Sequence, residues 1–402
     1  MYSSYDPVSA NIGNTNNKVR TPRGFVSING TQVFWKRATI NNTRYAAAST
    51  FSVTIPISTL PKNMPLATLL TTGKITVQIN AGNSTATNPN TVTASDLPML
   101  ILGDADDIAY DPKQSLITLT GRDYVSYFIE NKINNNLFNT AGTGIDIRGI
   151  LSLGVDGVQS PSSSEIISKI ATARNLTPFV TRTATPFGAY LNNPQNQYTM
   201  LSTNSTEWDL MTFLAREEGF DLFVLGNNLY FQPKDESNPY RIVMDTPFFS
   251  TPGEIPNSNV TEIQFKRNMR LSKDIIVNVY TYDVYKNKQL LSTATLSHNN
   301  VTDDGVGDAV YNFVFPSLTQ AQANNKARQL LLDISQHEME IDFTMPADEI
   351  ITAHSVISVI GTNTAFDQNY YVNNIMRELD YQTGYLMTVN AKNQSPYTLQ
   401  AQ

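Results

Sequence analysis

The residue types best able to do chemistry are scattered along this chain. The densest cluster is Asp104-Ala-Asp106-Asp107 with Asp111. A calcium loop uses such spacing, but it needs glycine at its sixth position and a bidentate glutamate at its twelfth. Here Ala109 and Ser115 stand at those positions, so the cluster reads as an acidic strand-to-turn segment. The three histidines, His298, His337 and His354, show neither i,i+4 nor H-x-H spacing. Surface or hairpin positions are expected for them over metal or acid–base roles. Glu217-Glu218 follows Arg216 at the end of a helical pattern. Paired carboxylates hydrolyse glycosides when they flank one bond, whereas neighbours on a helix point about 100° apart. A solvated helix face is the expectation. Gly142-Thr-Gly144 lacks a third glycine in register and a strong preceding strand, and no Walker or G-x-S-x-G pattern occurs. Asn-x-Thr/Ser triplets such as Asn41-Asn42-Thr43 follow from composition. No catalytic, cofactor-binding or metal-ligating residue is assigned, and the chain is expected to be non-enzymatic.

Composition bounds the alternatives. At 402 residues the chain exceeds one ordinary core, so about two to four domains are expected. It is 41% hydrophobic and 10% aromatic, ample for globular packing, with only 16% charged residues. Abundant Asn, Thr and Ser with frequent β-branched runs favour strands and polar turns. The net charge is −7, and the one basic run is Lys266-Arg267-Asn268-Met269-Arg270. Non-specific nucleic-acid binding needs a concentrated basic surface, so a DNA-binding role is not expected. There is no cysteine, which excludes disulfides, thiol nucleophiles and thiolate metal sites. Oligomerisation is then the expected staple. The opening M-Y-S-S-Y-D-P-V-S-A has neither a basic start nor an apolar core, so no signal peptide is expected. No run approaches about 18 apolar residues, so no membrane insertion is expected either.

The elements follow from pattern. A loose arm of about 20 residues precedes strand-like runs at Phe25–Ile28, Gln32–Trp35 and Thr50–Ile57. Asn29-Gly30 between the first two is a strong hairpin signal. Ile75–Ile79 alternates and is followed by a polar loop, Ala81 to Thr93. Met99–Leu102, Ile108–Tyr110 and Leu116–Thr120 read as further strands, and Asp123 caps a short helix over Tyr124–Lys132. Residues 134 to 165 mark a boundary or long loops. Ser164 then caps a helix with Ile166, Ile167, Ile170 and Ala171 inward. In Thr206 to Pro233, Thr206 and Asp209 have capping-box spacing, and Trp208, Met211, Leu214 and Ala215 form one stripe. Gly219 stops that helix, and Phe220–Leu225 and Leu229–Phe231 form a hairpin about Gly226-Asn227-Asn228. The last third returns to strands at Glu262–Lys266, Ile275–Tyr285, Glu340–Thr344, Val356–Ile360, Tyr371–Leu379 and Tyr385–Val389. A helix over Thr319–Gln336 interrupts them, with Ala323, Ala327, Leu330, Leu331 and Ile334 on one face.

A repeat ties the ends together. Phe51–Pro56 resembles Ile341–Pro346, and each precedes a strand, Ile75–Ile79 or Val356–Ile360. Each series then has an approach strand, an acidic turn (Tyr110–Lys113 or Asp380–Thr383), and a final strand, Leu116–Arg122 or Leu386–Lys392. The expected fold is mainly β with an α+β insert. Two tube-like β-barrel or sandwich domains, residues 1–133 and 246–402 (the latter with the helix 319–336), flank a small mixed α/β region, 134–245.

The phrase L-A-R-E-E-G-F-D-L-F-V-x-G-N-x-L-Y-F, Leu214 to Phe231, closely resembles the central segment of phage baseplate hub proteins. That family includes the late-control D type proteins of contractile tails and the hub part of type VI secretion spikes. Ile117–Asp123 is similar to the family's strand, G-R-D, helix block. Ile167–Val180 matches a helix-to-strand phrase, and Tyr371–Val389 resembles the last β-domain. The first 20 residues and the 81–93 loop match nothing in the family.

The resemblance implies two tube-like β-domains per chain and a homotrimer, a pseudo-sixfold ring joining the sixfold tail tube to the threefold central spike. Obligate interfaces of that kind bury more than ~2,000 Å². Implied partners are the tail tube protein, the central spike protein, other baseplate proteins and the tape measure protein. DNA is met only in transit through the lumen, past which a mildly acidic wall would let it slide. No cofactor is implied. The implied place is the virion, in the tail baseplate, after assembly in the host cytoplasm. With the chain stopping at Gln402, a fused spike or lysozyme domain is not expected. A secretion-system spike hub shares the β-domains and is the first alternative. A carbohydrate-active or adhesin protein of a virion surface is the second, and it requires a groove of exposed aromatics with separated carboxylates.

Overall fold

The computed structural model describes residues 21–44, 47–84, 91–132, 162–184, 205–233, 238–245, 257–268, 275–283, 288–296, 309–315, 320–335 and 339–393. The N-terminal arm, Gly142-Thr-Gly144, His298, His337 and Arg270 lie outside them. The protein is mainly β.

The first part contains β1 (Thr21–Ile28), β2 (Thr31–Val33), β3 (Arg37–Thr43), β4 (Thr50–Pro56), β5 (Thr76–Ser84), β6 (Met99–Asp111) and β7 (Leu116–Asp123), followed by a short helix, Val125–Glu130. Asn29 and Gly30 take positive φ of 48° and 77°, the mirror-image turn whose twist suits a hairpin. β5 runs on to Ser84, with Ala81 and Gly82 buried, so the polar loop begins later than expected. The two runs expected at Met99–Leu102 and Ile108–Tyr110 are halves of one 13-residue strand, bulged between Ala105 and Asp107. The acidic cluster is therefore strand, because a bulge lets one strand change its facing without ending.

The middle holds helix Ser163–Ala173, β8 (Thr177–Val180), helix Glu207–Glu218, β9 (Phe220–Leu225) and β10 (Asn228–Pro233). β8 pairs parallel and β9 antiparallel with β10. The cap of the first helix is Ser162, whose Oγ accepts from Glu165 N while Glu165 returns the bond, so the expected cap at Ser164 is corrected. Ser164 lies inside the first turn, and its Oγ accepts from Thr183 N at 3.1 Å. The core here unites Ile166, Ile167, Ile170, Trp208, Met211, Leu214 and Phe231 with Ala48, Val125 and Phe128 from before residue 134.

Then come β11 (Tyr240–Asp245), β12 (Asn257–Ser258) and β13 (Glu262–Arg267). A separate unit follows, made of β14 (Ile275–Asp283), β15 (Lys288–Leu296), β16 (Ala309–Val314) and helix Gln320–Ser335. Ala323, Ala327, Leu330, Leu331 and Ile334 pack on Ile275, Val277 and Val279, the helix face expected from period. The chain closes with β17 (Met339–Pro346), β18 (Val356–Ile360), β19 (Asn369–Asp380) and β20 (Gly384–Lys392). β11 pairs parallel with β18, so this strand, placed by sequence in the α/β insert, belongs to the large sheet.

Among the described residues that sheet has 14 strands and contains one pattern twice. The first module has the order β3-β4-β7-β6-β5, and the second β13-β17-β20-β19-β18. Registers repeat as well. Thr54 faces Thr118 and Thr344 faces Thr388, with hydroxyl pairs at 3.3 and 3.2 Å. The bulge in β6 lies opposite Thr120 and Gly121, and the bulge in β19 opposite Asn390 and Ala391. Asp111 and Asp380 each turn the following hairpin by accepting backbone N–H groups of their own loop. The modules differ at their outer strands, where β1 runs antiparallel to β5 but β11 parallel to β18.

Candidate functional site

The place where the two modules meet is the feature no isolated β-domain needs. β3 of the first module pairs antiparallel with the second half of β19, Asn374 facing Thr43 and Asp380 facing Arg37. The first half of β19 is taken by β18, through Asn369–Tyr371. The bulge between Val372 and Asn374 marks the handover, so one long strand serves two neighbours on the same side. The alternating pattern puts Ala38, Ile40, Ile375 and Leu379 on the buried face of this seam. Arg377 is also buried there. Its Nη1 donates to Asn42 Oδ1 at 2.7 Å and its Nη2 to the Ile351 carbonyl, which keeps the buried charge hydrogen-bonded. At the exposed rim Arg37 pairs with Glu378, and Asp380 stands 4.0 Å away. β-pairing, apolar burial and a hydrogen-bonded arginine together hold the seam.

The α/β insert is tied to the large sheet beside this seam. Arg44, just after β3, donates through Nη2 to both carboxylate oxygens of Asp221 in β9 at 3.1 Å. Its guanidinium lies 5.8 Å from the Tyr371 ring centre. His354 stacks on Phe223 at 3.9 Å between ring centres, its Nδ1 3.9 Å from Asp221. His354 thus leaves the surface position expected of it, because β9 covers the loop before β18. Loss of water lowers its pKa to about 4, with Asp221 pulling the other way and Arg44 adding to the drop. The imidazole is neutral at pH 7.

The acidic cluster does not converge. Asp104 accepts from Thr76 Oγ1 at 2.9 Å and from Tyr127, with Lys74 at 3.2 Å. Asp106 binds Arg122 through two contacts, 2.7 and 2.9 Å, and Arg122 also reaches Glu130. Asp107 and Asp111 are exposed on the outer half of β6. Among the described residues no group of three or more His, Asp or Glu could hold a metal ion. Glu218 is half-buried, not the open helix face expected, and among the described residues its Oε1 has no hydrogen-bond partner.

The G-R-D block also has a packing explanation. A Cβ on Gly121 would fall 2.1 Å from the Asp104 carbonyl, and one on Gly103 1.9 Å from the Arg122 carbonyl. The paired strands approach too closely for side chains at the β6 bulge. Asp123 is buried and accepts from Val125 N at 3.1 Å, so it does serve the helix start, although Tyr124 occupies the cap position. Burial raises its pKa to about 7, opposed by bonds from Ser49 and Val125. One feature that the sequence did not disclose is the pair Arg174 and Glu207, joined at 2.9 and 2.6 Å with Glu207 buried, which clamps the two helices of the insert.

No family model and no curated protein matches the sequence. The fold, however, is similar to solved structures. The 43 kDa tail protein of prophage MuSo2 from Shewanella oneidensis superposes with a TM-score of 0.60 at 12% identity, over 94% of this chain and 98% of that one. A tail protein from Neisseria meningitidis MC58 gives a TM-score of 0.59 at 11% identity, over 92% and 96%. The half-lidded PdpA-VgrG complex of Francisella gives 0.51 at 11% identity, over 96% of this chain and 60% of that one. The fold is therefore shared with these two tail proteins and with part of the chain of the VgrG complex.

Proposed function

We propose that this protein is a structural, non-enzymatic hub of a phage-type tail, in which three copies form a ring of six similar β-modules between a sixfold tube and a threefold spike. The observation that carries this is the doubled module, repeated in strand order, register, bulge and turn. A threefold body can offer six equivalent seats only if each polypeptide supplies two. The β3–β19 pairing joins the two modules into one sheet, which supports a reading as an adaptor between symmetries. The fold shared with two tail proteins supports the same reading.

The contractile nature of the tail, the tube, spike and tape measure partners, and the virion baseplate as its place belong to this proposal. The secretion-spike alternative draws on the likeness to the VgrG complex, of which the chain spans 60%. Mass measurement in solution tests the hub reading. Three chains per particle is the expected result, and a stable monomer at micromolar concentration contradicts it.

A further inference from the structure

The seam inside the chain has a counterpart that is left open. By the repeat, β3 corresponds to β13 and the second half of β19 to the second half of β6. β3 and β19 are joined to each other. Among the described residues, β13 pairs only with β17, and β6 beyond Ala105 pairs only with β7. An exposed strand edge of this kind is a template for another strand. We infer that the outer half of β6 pairs antiparallel with β13 of a second copy of this chain, in the register of the β3–β19 seam, and that this joint closes the ring.

The register is fixed by the bulges. Asn373 and Asp106 are the bulged residues, so Ile375, Met376, Arg377 and Glu378 correspond to Ile108, Ala109, Tyr110 and Asp111. Arg37 and Glu262 both face the threonine pair, through Thr54 and Thr344, so Ile40, Asn41 and Asn42 correspond to Phe265, Lys266 and Arg267. The joint then sets Ile108 against Arg267, Ala109 against Lys266, and Tyr110 against Phe265. Its chemistry is complementary. Ile108, Ile263 and Phe265 are only half-buried in one copy, and Tyr110 is 46% exposed; pairing covers them as Ile40 and Ile375 are covered in the seam. On the outer face Lys266, which already holds Asp342, falls between Asp107 and Asp111. Glu262 falls beside the turn carrying Lys113, reversing the signs of Arg37 with Asp380. The acidic and basic runs that offered no chemistry of their own meet at one joint.

The inference rests on the ring proposed above, and the test separates the two. The chain has no cysteine, so introduced thiols report alone. Facing residues in an antiparallel pair have Cα atoms about 4.5–5.5 Å apart, within disulfide range. Chains carrying Ala109→Cys and chains carrying Lys266→Cys are co-expressed and mildly oxidised, and the pair Tyr110→Cys with Phe265→Cys is tested likewise. One of the two adjacent pairs has the closer geometry, so linking in either mixture is the expected result. Neither variant links to itself, and the double variant of the linking pair yields covalent trimers. Ala109→Cys with Glu262→Cys, roughly 13 Å out of register, does not link. Trimers by mass that link in neither mixture, or link equally well out of register, overturn the joint and leave the hub standing. A monomer by mass overturns both.

Discussion

Gly121 shows how one residue fixes the geometry that the larger account needs. Its missing side chain lets β6 and β7 close on each other at the bulge, where a methyl group would meet a carbonyl oxygen at 2.1 Å. Gly121→Ala is expected to lower stability by about 1–3 kcal/mol through forced strand separation, measured by urea unfolding. An unchanged midpoint would show that the strands yield freely. Two desolvated titrating groups, Asp123 buried and His354 partly so, give opposed pH signatures. His354 has its pKa lowered from 6.5 to about 4, so the unfolded chain binds the extra proton in that window, and the stabilisation is lost as pH falls through it. Asp123 has its pKa raised from 3.8 to about 7, so the folded chain binds the extra proton, and stability declines as pH rises. Relative to the parent, H354Q should tilt the stability profile between pH 4.5 and 6.5 downward with rising pH, and D123N should tilt it upward. Each tilt is at most about 1.4 kcal/mol per pH unit. Tilts of the same sign would contradict the assignment. Asp123 was legible as a helix-start residue because G-R-D precedes an apolar run. His354 was not, since nothing near it in sequence announces the Phe223 ring that covers it.

At the scale of elements, local chemistry was legible where the chain stated it twice. Thr206 and Asp209 exchange bonds of 3.1 and 2.7 Å, and Gly219 ends the helix at a φ of 69°. Thr206→Ala is expected to cost about 1 kcal/mol, read as a lowered unfolding midpoint, while an unshifted midpoint would mean that tertiary contacts alone hold the helix start. Three consecutive serines hid the other cap, although only Ser162 stands three residues before Glu165. In sequence the long strand β6 looks like two, because its acidic middle breaks the alternation and a bulge is invisible without the partner strand. Pairing between distant segments was harder still. β11 looks like part of the insert because it follows β10, yet its partner β18 lies more than 110 residues on. In sequence the unit β14–β16 is indistinguishable from the second β-domain, because its strands look like the others. Only the parallel pairing of β14 with β16 and the covering helix set it apart.

For the whole molecule, the weak repeat between Phe51–Arg122 and Ile341–Lys392 carried the most information. The same strand order, threonine pair, bulge and turn recur at both ends of the chain, and β3 with β19 fuses them into one sheet. That continuity was not legible, because β3 is a polar strand, R-A-T-I-N-N-T, whose sequence resembles a loop. If each chain supplies two seats to a closed ring, end-on electron-microscopy averages of the purified particle display them. The expected image is a hollow ring with six similar lobes and threefold symmetry. A compact two-lobed particle, or a ring whose lobes number other than six, would contradict it.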